Sequence, residues 1–405
     1  MPPAIYRKGK PKLLVLASTF PRWKDDYEPN FVLRLCTELS GEYDITVITS
    51  RSPGAKSEEQ FGPITIKRFS YAPAKLETLV YGGGILSNLK RHPLKWFLVP
   101  SFLLSMAINT RKLIKKTTPN VIHCHWIIPQ GLVLSLLSAF MGLPPILLTS
   151  HGGDIYSLRG KLGTKLKRKA ISTAAAMTVV STPMKAIASQ LGSPDTSTYV
   201  APMGFGFNNK DASPNPGLRS SNQILFVGRL VKLKGLHHLI DVLPFLLETL
   251  PSLELVIVGD GPERRNLEKQ CKMLGVSNSV KFMGALPQEE LPKYYKHASL
   301  FCAPFVSSEN GLTEGLGLVT IEAMSFGCPI LIGKIPAAND IIPQKYREKY
   351  TTTPQNKDIF SKKIVEIMKH TNPEDIIELR KHVLLKFHWR NVKKKYLKIL
   401  SSIAP

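Results

Sequence analysis

Two glutamates separated by seven residues, Glu314 and Glu322, have side chains suited to binding hydroxyl groups. The segment over 314–324 reads Glu-Gly-Leu-Gly-Leu-Val-Thr-Ile-Glu-Ala-Met. Ionised carboxylates accept hydrogen bonds from pairs of neighbouring hydroxyls, so two carboxylates across a loop are suited to binding two sugar rings. The alternative is a simple loop charge for Glu314 and a partner of the helix dipole for Glu322, in the first turn of a predicted helix.

The same segment also predicts a binding site for an anion. We expect a helix from about Thr320, and the backbone N–H groups of Gly317, Leu318 and Val319 open its N-terminus. The first N–H groups of a helix have no partner inside it, and they lie at the positive end of the helix dipole. Phosphate and other anions bind at such ends.

A second segment, residues 227–235, places two cations directly after a predicted strand. It reads Val-Gly-Arg-Leu-Val-Lys-Leu-Lys-Gly. The forked guanidinium of Arg229 and the ammonium of Lys234 suit a diphosphate, whereas the alternative is a solvated loop. The motif Gly-Asp-Gly-Pro at 259–262 also follows a predicted strand, but proline is common in a first helical turn for structural reasons, so this motif is weak by itself.

Several phosphate-binding and metal-binding motifs are missing from the sequence. It contains neither Gly-x-x-x-x-Gly-Lys-Ser/Thr nor Gly-x-Gly-x-x-Gly, which disfavours a P-loop enzyme and a dehydrogenase. No Asp-x-Asp occurs, so we expect no metal-clamped diphosphate. His123 and His125 point the same way from a predicted strand and are an alternative pair of zinc ligands, although no third ligand with a matching motif accompanies them.

Short apolar runs alternate with helical patterns along most of the chain, which is typical of a parallel sheet covered by helices. Predicted strands lie at 13–17, 45–49, 64–69, 121–125, 146–150, 177–181, 198–201, 224–227, 253–259, 280–283, 300–303 and 329–333. Predicted helices lie at 31–40, 94–116, 131–141, 161–174, 183–191, 235–247 and 263–274. The uncharged stretch 127–150 contains Gly142-Leu143-Pro144-Pro145, so we expect a helix and a buried strand there instead of a transmembrane helix.

A polar stretch divides the alternating pattern into two halves. Residues 208–222 contain Asn, Asp, Ser, Pro and Gly and almost no apolar side chain, which predicts an exposed linker. We therefore predict two doubly wound α/β domains, residues 1–206 and 207–387. Ligands of such sheets bind beyond the carboxyl ends of the strands, where the loops discussed above are predicted to lie.

Taken in order, the Gly-Arg…Lys-Gly loop, the Gly-Asp-Gly-Pro motif and the Glu–seven residues–Glu pattern resemble the retaining glycosyltransferases of family 4. In the first half, His151-Gly-Gly-Asp154 after a strand is similar to the segment that carries a sugar-facing histidine in this family. The resemblance implies the GT-B fold, two facing Rossmann-like domains, with a last helix, residues 388–405, packing back on the first domain. It also implies a nucleotide-diphosphate sugar as substrate, with no metal and no other cofactor.

The resemblance implies a role for each candidate residue near the donor diphosphate. Arg229 and Lys234 would neutralise its charge, in place of a metal ion. The backbone at Gly317, Leu318 and Val319 would cap the distal phosphate. Positive groups would thus stabilise the leaving diphosphate while the acceptor hydroxyl attacks from the same face.

The resemblance also assigns contacts to the sugar and the nucleoside. Glu314 would bind hydroxyls of the transferred sugar, and Glu322 would bind the ribose hydroxyls. His151 would contact the sugar near the reaction centre, and Gly284 would lie near the base. We therefore expect the catalytic set to be His151, Glu314, Arg229 and Lys234.

Charge is distributed unevenly along the sequence. The chain has 54 Lys and Arg against 30 Asp and Glu, a net charge of +24, yet residues 78–194 contain one acid, Asp154, and fourteen cations. Residues 96–110 carry no charge and lie between cationic ends, which predicts a segment lying in the surface of an anionic membrane. The alternative is a helix that packs on the sheet and turns its lysines to water.

Cysteine usage and the resemblance together indicate a place of action. The five cysteines form no Cys-x-x-Cys pair, which favours a reducing compartment, so we expect a cytoplasmic enzyme, peripheral on the cytoplasmic face of the membrane. The 81–116 insert resembles family members that build cell-surface polysaccharide, with a glycan or lipid-linked acceptor and no nucleic acid. The alternatives are a GT-B epimerase or phosphorylase, and a non-catalytic basic module that binds membrane or nucleic acid.

Overall fold

Two sheets of mainly parallel strands, each covered by helices, form the protein in this computed structural model. The structure describes residues 9–24, 26, 28–206, 219, 222–308 and 311–404. Unit 1 comprises Met1–Val179, Ile187–Ala201 and Lys393–Pro405, and unit 2 comprises Val180–Ala186 and Pro202–Val392. The predicted fold class, with two parallel-sheet α/β domains, is confirmed.

The units do not divide at the predicted boundaries, 206/207 and 387/388. Residues 202–206 belong to unit 2, where the indole of Trp389 packs so closely on Gly204 and Gly206 that a Cβ at either position would clash with it. The final helix is shared, because its first residues belong to unit 2 and Lys393–Pro405 belongs to unit 1. The predicted linker, 208–222, lies outside the described residues except for Arg219 and Asn222.

The sheet of unit 1 has eight described strands. They are β1 (Lys12–Leu16), β2 (Asp44–Ser50), β3 (Glu58–Phe61), β4 (Ile64–Phe69), β5 (Val121–His125), β6 (Ile146–Ser150), β7 (Ala176–Val179) and β8 (Thr198–Val200), in the spatial order β3-β4-β2-β1-β5-β6-β7-β8. Every pair is parallel except β3–β4. β5 and β6 are buried along their whole length, as expected for central strands covered on both faces.

The helices of unit 1 are joined to this sheet by crossover connections. They are α1 (Phe31–Leu39), α2 (Ile85–Arg91), α3 (Leu98–Thr117), α4 (Leu132–Leu137), α5 (Gly153–Tyr156), α6 (Lys161–Ile171) and α7 (Thr182–Gln190), of which α7 continues from unit 2 into unit 1. From β4 to β5, β6 and β7 the chain moves in one direction across the sheet, and from β1 to β2 it moves in the opposite direction. Because crossovers between parallel strands are right-handed, α3, α4 and α6 lie on one face and α1 on the other.

The predicted helix at 94–116 begins four residues later than expected. Pro93–Phe97 forms a 3₁₀ turn and α3 starts at Leu98. Among the described residues, Pro93–Thr117 is the one helical stretch whose length and composition would allow it to cross a membrane. However, Phe102, Met106 and Ile114 lie on one side of α3 and are buried, so this helix packs into the core of unit 1.

The sheet of unit 2 has six described strands. They are β9 (Gln223–Val227), β10 (Glu254–Val258), β11 (Val280–Gly284), β12 (Leu300–Ala303), β13 (Ile330–Gly333) and β14 (Thr351–Thr352), all parallel, in the order β11-β10-β9-β12-β13-β14. The chain runs from β9 to β11 in one direction and then returns to place β12 on the other side of β9. The topological switch point therefore lies between the carboxyl ends of β9 and β12, where ligands of such sheets bind.

The remaining helices follow in order along the chain. They are α8 (Leu236–Thr249), α9 (Arg264–Met273), α10 (Leu291–His297), α11 (Leu318–Ser325), α12 (Ala338–Ile341), α13 (Arg347–Tyr350), α14 (Lys357–His370), α15 (Pro373–Phe387) and α16 (Trp389–Ile403). In α16, Val392, Tyr396, Ile399 and Leu400 are buried. The Tyr396 hydroxyl donates a hydrogen bond to the Ala201 carbonyl at 3.0 Å, so the last turns of the chain complete the core of unit 1.

Candidate active site

The loop after β9 lies at the switch point of unit 2 and packs against two neighbouring loops. The Leu230 N–H donates to the Asp260 carbonyl after β10, and the Val306 N–H after β12 donates to the Leu233 carbonyl. Gly235, which ends the loop, has φ of 68°, and a Cβ there would clash with the Pro304 carbonyl oxygen. Glycine is needed at this position because the backbone is left-handed and a second backbone lies against it.

Within this loop, Lys234 forms an ion pair with Glu314. The Lys234 Nζ lies 2.8 Å from the Glu314 Oε2 and 4.8 Å from the centroid of the Phe305 ring. Both charged side chains are partly exposed, at 16% and 21%. The ammonium has three donors and the carboxylate has two acceptor oxygens, so each group can still bind a ligand while it contacts the other.

Gly317 brings the N-terminus of α11 beside this ion pair. It has φ of 83°, and a Cβ there would lie 3.0 Å from the Phe305 ring and 3.7 Å from the Glu314 side chain. Leu318 is the first residue of α11, so the free N–H groups of the first turn open next to Glu314. The half-buried Arg229 belongs to the same loop as Lys234. A cation, a carboxylate and a helix N-terminus therefore meet at the switch point.

Glu322 lies in the second turn of α11, and the predicted place in the first turn is wrong because the helix begins at Leu318. Its carboxylate accepts hydrogen bonds from the Gln288 amide and from the Tyr295 hydroxyl, each at 2.8 Å. Burial raises the pKa of Glu322 to about 7. Each oxygen keeps a second acceptor position, so a ribose hydroxyl can bind beside these two partners.

The raised pKa of Glu322 predicts a pH dependence of stability. Between about pH 4.5 and about pH 7 the folded chain holds a proton that the unfolded chain has released. The free energy of unfolding should therefore fall as pH rises through this window and level off above it, and Glu322→Gln should lack this contribution. Urea unfolding of both proteins at about pH 5 and about pH 8 checks this. An equal pH dependence in both proteins would contradict it.

Gly284 lies at the end of β11, on the outer side of the same sheet edge. Its carbonyl accepts a hydrogen bond from the Gly259 N–H at 2.7 Å, which ties the turn after β11 to the Gly-Asp-Gly-Pro loop after β10. The carboxyl ends of β9, β10 and β11 therefore lie side by side along one edge, with the loop of Arg229 and Lys234 at its β9 end.

In unit 1, His151 follows β6 and sits in an aromatic surrounding. Its Nε2 lies 2.9 Å from the Nδ1 of His125, and its ring lies 4.8 Å from that of Trp126 and 4.9 Å from that of Phe31. Burial lowers the pKa of His151 to about 3. The imidazole is therefore neutral near pH 7 and acts there as a hydrogen-bonding group instead of a fixed positive charge.

Asp154 fixes the backbone that carries His151. Its carboxylate accepts hydrogen bonds from the Ser150 hydroxyl and the Ile127 N–H, each at 2.8 Å, and from the His151 N–H at 3.2 Å. It is buried, and burial raises its pKa. The one acid between residues 78 and 194 thus has a structural role beside the predicted catalytic histidine.

The hydrogen bond between the two histidines indicates which nitrogen of His151 carries the proton. His125 is buried, and among the described residues its Nε2 has no hydrogen-bond partner. A buried N–H without a partner is rarer and costlier than a buried lone pair. From this network we assign the His125 proton to Nδ1, which donates to His151 Nε2. His151 then carries its own proton on Nδ1 and can donate it to a ligand.

The zinc alternative for His123 and His125 finds little support. The two rings lie 4.1 Å apart, but the His123 Nε2 is hydrogen-bonded to the Thr149 hydroxyl at 2.8 Å and the His125 Nδ1 to His151. In the part of the chain that the structure describes, no three His, Cys, Asp or Glu side chains are grouped to hold a metal ion. Burial lowers the pKa of His123 to about 3, as expected for a neutral core histidine.

Two family models match the sequence, and between them they leave out only its ends and a short central stretch. Residues 26–182 match the glycosyl transferase 4-like model, and residues 209–382 match the model of glycosyl transferases group 1. The chain belongs to the group 1 glycosyltransferases. His151 lies within the first match, and Lys234 and Glu314 lie within the second.

Curated relatives of this glycosyltransferase match it over parts of their length. A GDP-mannose-dependent alpha-(1-6)-phosphatidylinositol monomannoside mannosyltransferase of Mycolicibacterium smegmatis is 36% identical over 127 residues, 31% of this chain and 33% of the relative. The putative teichuronic acid biosynthesis glycosyltransferase TuaC of Bacillus subtilis is 27% identical over 249 residues, 59% of each chain. The chain spans less than two thirds of the length of these relatives.

Solved structures resemble this glycosyltransferase over nearly its whole length. The sucrose-phosphate synthase of Thermosynechococcus elongatus has a TM-score of 0.77 at 19% identity, covering 97% of this chain and 99% of the other. Anabaena HepE, solved in complex with UDP and glucose, has a TM-score of 0.68 at 18% identity, covering 97% and 100%. At these identities the likeness establishes the fold, and the predicted GT-B class is confirmed.

The structure separates the predicted site residues of the glycosyltransferase into distinct groups. His151 lies in unit 1 and all the others lie in unit 2. Lys234 and Glu314 are in direct contact beside Gly317, whereas Glu322 contacts Gln288 and Tyr295. Sequence reasoning missed Phe305, Gln288 and Tyr295. Phe305 had a usable signal, an aromatic residue two positions after a strand at the switch point, whereas the other two had none.

Proposed function

We propose that this glycosyltransferase transfers a hexose from a nucleotide-diphosphate sugar to a hydroxyl of a glycan or lipid-linked acceptor, with retention of the anomeric configuration. The observation that carries the proposal is the Lys234–Glu314 ion pair at the switch point, beside the N-terminus of α11. A cation and helix N–H groups suit a diphosphate, and a carboxylate suits the hydroxyls of a sugar. A nucleotide sugar presents both kinds of group next to each other.

In this proposal the protein itself supplies the positive charge that neutralises the leaving diphosphate. Arg229 and Lys234 bind the phosphate oxygens, and the N–H groups of Leu318 and Val319 cap the distal phosphate. Preorganised donors of this kind stabilise charge as it develops and need no metal ion. The transfer therefore proceeds without a metal or other cofactor.

The proposed reaction makes and breaks one bond to the anomeric carbon on the same face of the sugar. The bond from this carbon to the phosphate oxygen breaks, and the electron pair leaves with the nucleoside diphosphate. The acceptor hydroxyl oxygen bonds to the carbon, and its proton passes to an oxygen of the leaving phosphate. Glu314 holds the sugar hydroxyls.

The relatives support the class of donor and acceptor. One is named as GDP-mannose-dependent and acts on a phosphatidylinositol monomannoside, another is named for teichuronic acid biosynthesis, and HepE was solved with UDP. We infer a cell-surface glycan as the product. The five cysteines are free and buried, which supports a place in the reducing cytoplasm.

Nucleotide sugars should raise the melting temperature of the protein. A ligand that binds only the folded state at a hundredfold excess over its Kd stabilises it by about 2.7 kcal/mol. We expect such a shift from GDP-mannose or UDP-glucose and from the matching diphosphate, also in EDTA, and a smaller shift in Lys234→Ala. Nucleotide sugars and diphosphates that all leave the melting temperature unchanged would contradict the proposal.

The product of the reaction distinguishes the proposed enzyme from its alternatives. NMR of the product made in the presence of an acceptor should show the anomeric configuration of the donor. Conversion of the donor without any acceptor would indicate an epimerase, and dependence on inorganic phosphate would indicate a phosphorylase. Membrane or nucleic-acid binding without any turnover would indicate a non-catalytic module. Each of these three results would overturn the proposed function.

A further inference from the structure

Three neighbouring helices of unit 1, α3, α4 and α6, cover the same side of the sheet. α3 contacts α4, and α4 contacts α6. We call their outward surface, together with the 3₁₀ turn Pro93–Phe97 that precedes α3, the basic apolar face. It is built entirely from unit 1, whereas α1 covers the opposite side of the sheet.

The helix α3 is apolar on two opposite sides. Phe102 and Met106 are buried against the core, whereas Leu104 and Ile108 are exposed. At about 100° per residue, a shift of two positions turns a side chain to the other side of the helix. A helix that only packs on a sheet needs one apolar side. The outward apolar side of α3 therefore needs another explanation.

Large apolar side chains extend this outward side. In the turn before α3, Leu94 is 80% exposed and Phe97 83% exposed, with Trp96 between them. Phe140, just beyond α4, is 83% exposed, and Leu162 in the first turn of α6 is also exposed. Single exposed leucines are ordinary, but large apolar residues that recur on adjacent helices mark a surface that binds another apolar surface.

Exposed cations lie on the same helices as these apolar residues, and residues 78–194 contain no exposed carboxylate. The exposed cations of the two outer helices include Arg111, Lys112, Lys115, Lys161, Lys165 and Arg168. The one acid between residues 78 and 194 is Asp154, which is buried and hydrogen-bonded to backbone N–H groups. The face is therefore complementary to a surface that is anionic and apolar together. Nucleic acid is anionic but offers no comparable apolar surface for three helices.

The geometry fits a segment that lies in a bilayer surface better than one that crosses it. The charge-free residues 96–110 are about 22 Å long as a helix, shorter than the about 30 Å hydrocarbon core. One side of α3 is also fixed in the core of unit 1. Amphipathic helices with cationic flanks and aromatic residues insert at the level of the lipid headgroups.

We propose that the basic apolar face binds an anionic lipid bilayer, with Leu94, Trp96 and Phe97 inserted among the acyl chains and the lysines on the headgroups. The turn that carries these three residues lies before α3 begins, at the carboxyl edge of the sheet, and His151 follows β6 at the same edge. Docking by this face brings the reactive edge of unit 1 close to headgroup level. A lipid-linked acceptor is then presented to the enzyme at the membrane surface.

Vesicle flotation of the full-length protein, without any nucleotide, tests the proposal independently of catalysis. We expect binding to phosphatidylcholine vesicles that contain about one third phosphatidylglycerol, and much weaker binding to phosphatidylcholine alone. Binding to the anionic vesicles should weaken strongly between about 0.05 M and about 0.5 M NaCl. Equal binding to neutral and anionic vesicles, independent of salt, would overturn the proposal, and so would no binding at all.

Matched charge variants separate this face from the general positive charge of the chain. Each lysine near an anionic surface contributes about fivefold to partitioning, so Lys112→Ala, Lys115→Ala and Lys116→Ala together should lower it about 100-fold. Arg265→Ala, Lys269→Ala and Lys272→Ala remove three exposed cations from α9 in unit 2 and should leave it nearly unchanged. Equal losses in both triple variants would show that net charge, and not this face, determines binding.

The apolar residues have their own test. Replacing Leu94, Trp96 and Phe97 by serine should lower partitioning about tenfold or more. Replacing the exposed Met273 and Leu385 of unit 2 by serine should not lower it. Lipids brominated near the headgroup should quench tryptophan fluorescence in the unaltered protein and much less in Trp96→Phe. Unchanged quenching in Trp96→Phe would overturn the proposed insertion.

A second copy of the chain is the competing occupant of the face. Sedimentation of the protein without lipid distinguishes the two. We expect a monomer whose sedimentation is unchanged by the serine variants of the turn before α3. A dimer that dissociates in these variants and does not bind anionic vesicles would assign the face to self-association and overturn the membrane proposal.

Discussion

Lys234→Ala should lower the turnover of sugar transfer by about 100-fold to 1000-fold, the effect of removing one preorganised donor from a charged transition state. The reason lies in the position of the ammonium group, 2.8 Å from the Glu314 carboxylate in a packed loop at the switch point. Arg229→Ala should have a comparable effect. Steady-state transfer rates, measured with the donor that gives the largest thermal shift, check both.

Lys232 provides the matched control for this prediction. It is an exposed cation two residues before Lys234 in the same 3₁₀ turn, and Lys232→Ala removes the same charge. Turnover of Lys232→Ala should stay close to that of the unaltered enzyme. EDTA should lower the turnover of neither protein. If chelation abolishes turnover and Mg²⁺ or Mn²⁺ restores it, a metal ion and not the two cations neutralises the diphosphate.

Because Lys234 and Glu314 form an ion pair, replacing one of them also affects the other. Lys234→Ala also leaves Glu314 without its cationic partner, so part of its effect is on the carboxylate. Glu314→Gln keeps the size of the side chain and removes the charge. If the two residues act together on the donor, the double variant should lose much less than the product of the two single losses. If the two residues act independently, the loss of turnover in the double variant should equal the product of the two single losses.

The apolar pattern predicted most of the fold because central parallel strands are buried on both faces. Strands β4, β5, β6 and β12 begin and end at the predicted residues. β3 and β14 were missed, since Glu58–Phe61 is a polar edge hairpin and Thr351–Thr352 is only two residues long. Neither contains the continuous apolar run by which buried strands are recognised.

The sequence indicated candidate residues for the site but not the contacts between them. Lys234 and Glu314 stand 80 residues apart, and only the return of the chain from β11 to β12 brings their loops together. The position of Glu322 was misjudged because Gly317, in its left-handed conformation, starts α11 at Leu318 and not near Thr320. Long-range pairing and a single backbone angle are properties of the folded chain, and no local pattern encodes them.

Deleting residues 388–405 should destabilise unit 1, although most of unit 1 lies at the other end of the sequence. The deletion removes Tyr396, Ile399 and Leu400, which are buried and belong to the core of unit 1, together with Trp389, which packs on Gly204. Loss of a single large core side chain costs about 3–5 kcal/mol, comparable to much of the stability of a domain. We expect the truncated protein to melt at a much lower temperature and to lose turnover.

Variants of one residue show whether this effect arises in unit 1. Tyr396→Ala removes a buried ring that lies 5.6 Å from the His123 ring, and should destabilise the protein by about 3–5 kcal/mol. Tyr396→Phe keeps the ring and loses the hydroxyl that donates to the Ala201 carbonyl, a hydrogen bond worth about 1 kcal/mol. In Tyr396→Ala, hydrogen exchange of the backbone amides should accelerate in β5 and β6 of unit 1 more than in β9 and β10 of unit 2. A deletion of 401–405, which leaves the buried residues in place, should preserve the melting temperature. If deletion of 388–405 also preserves the melting temperature, and turnover persists, the last helix has no part in the core of unit 1.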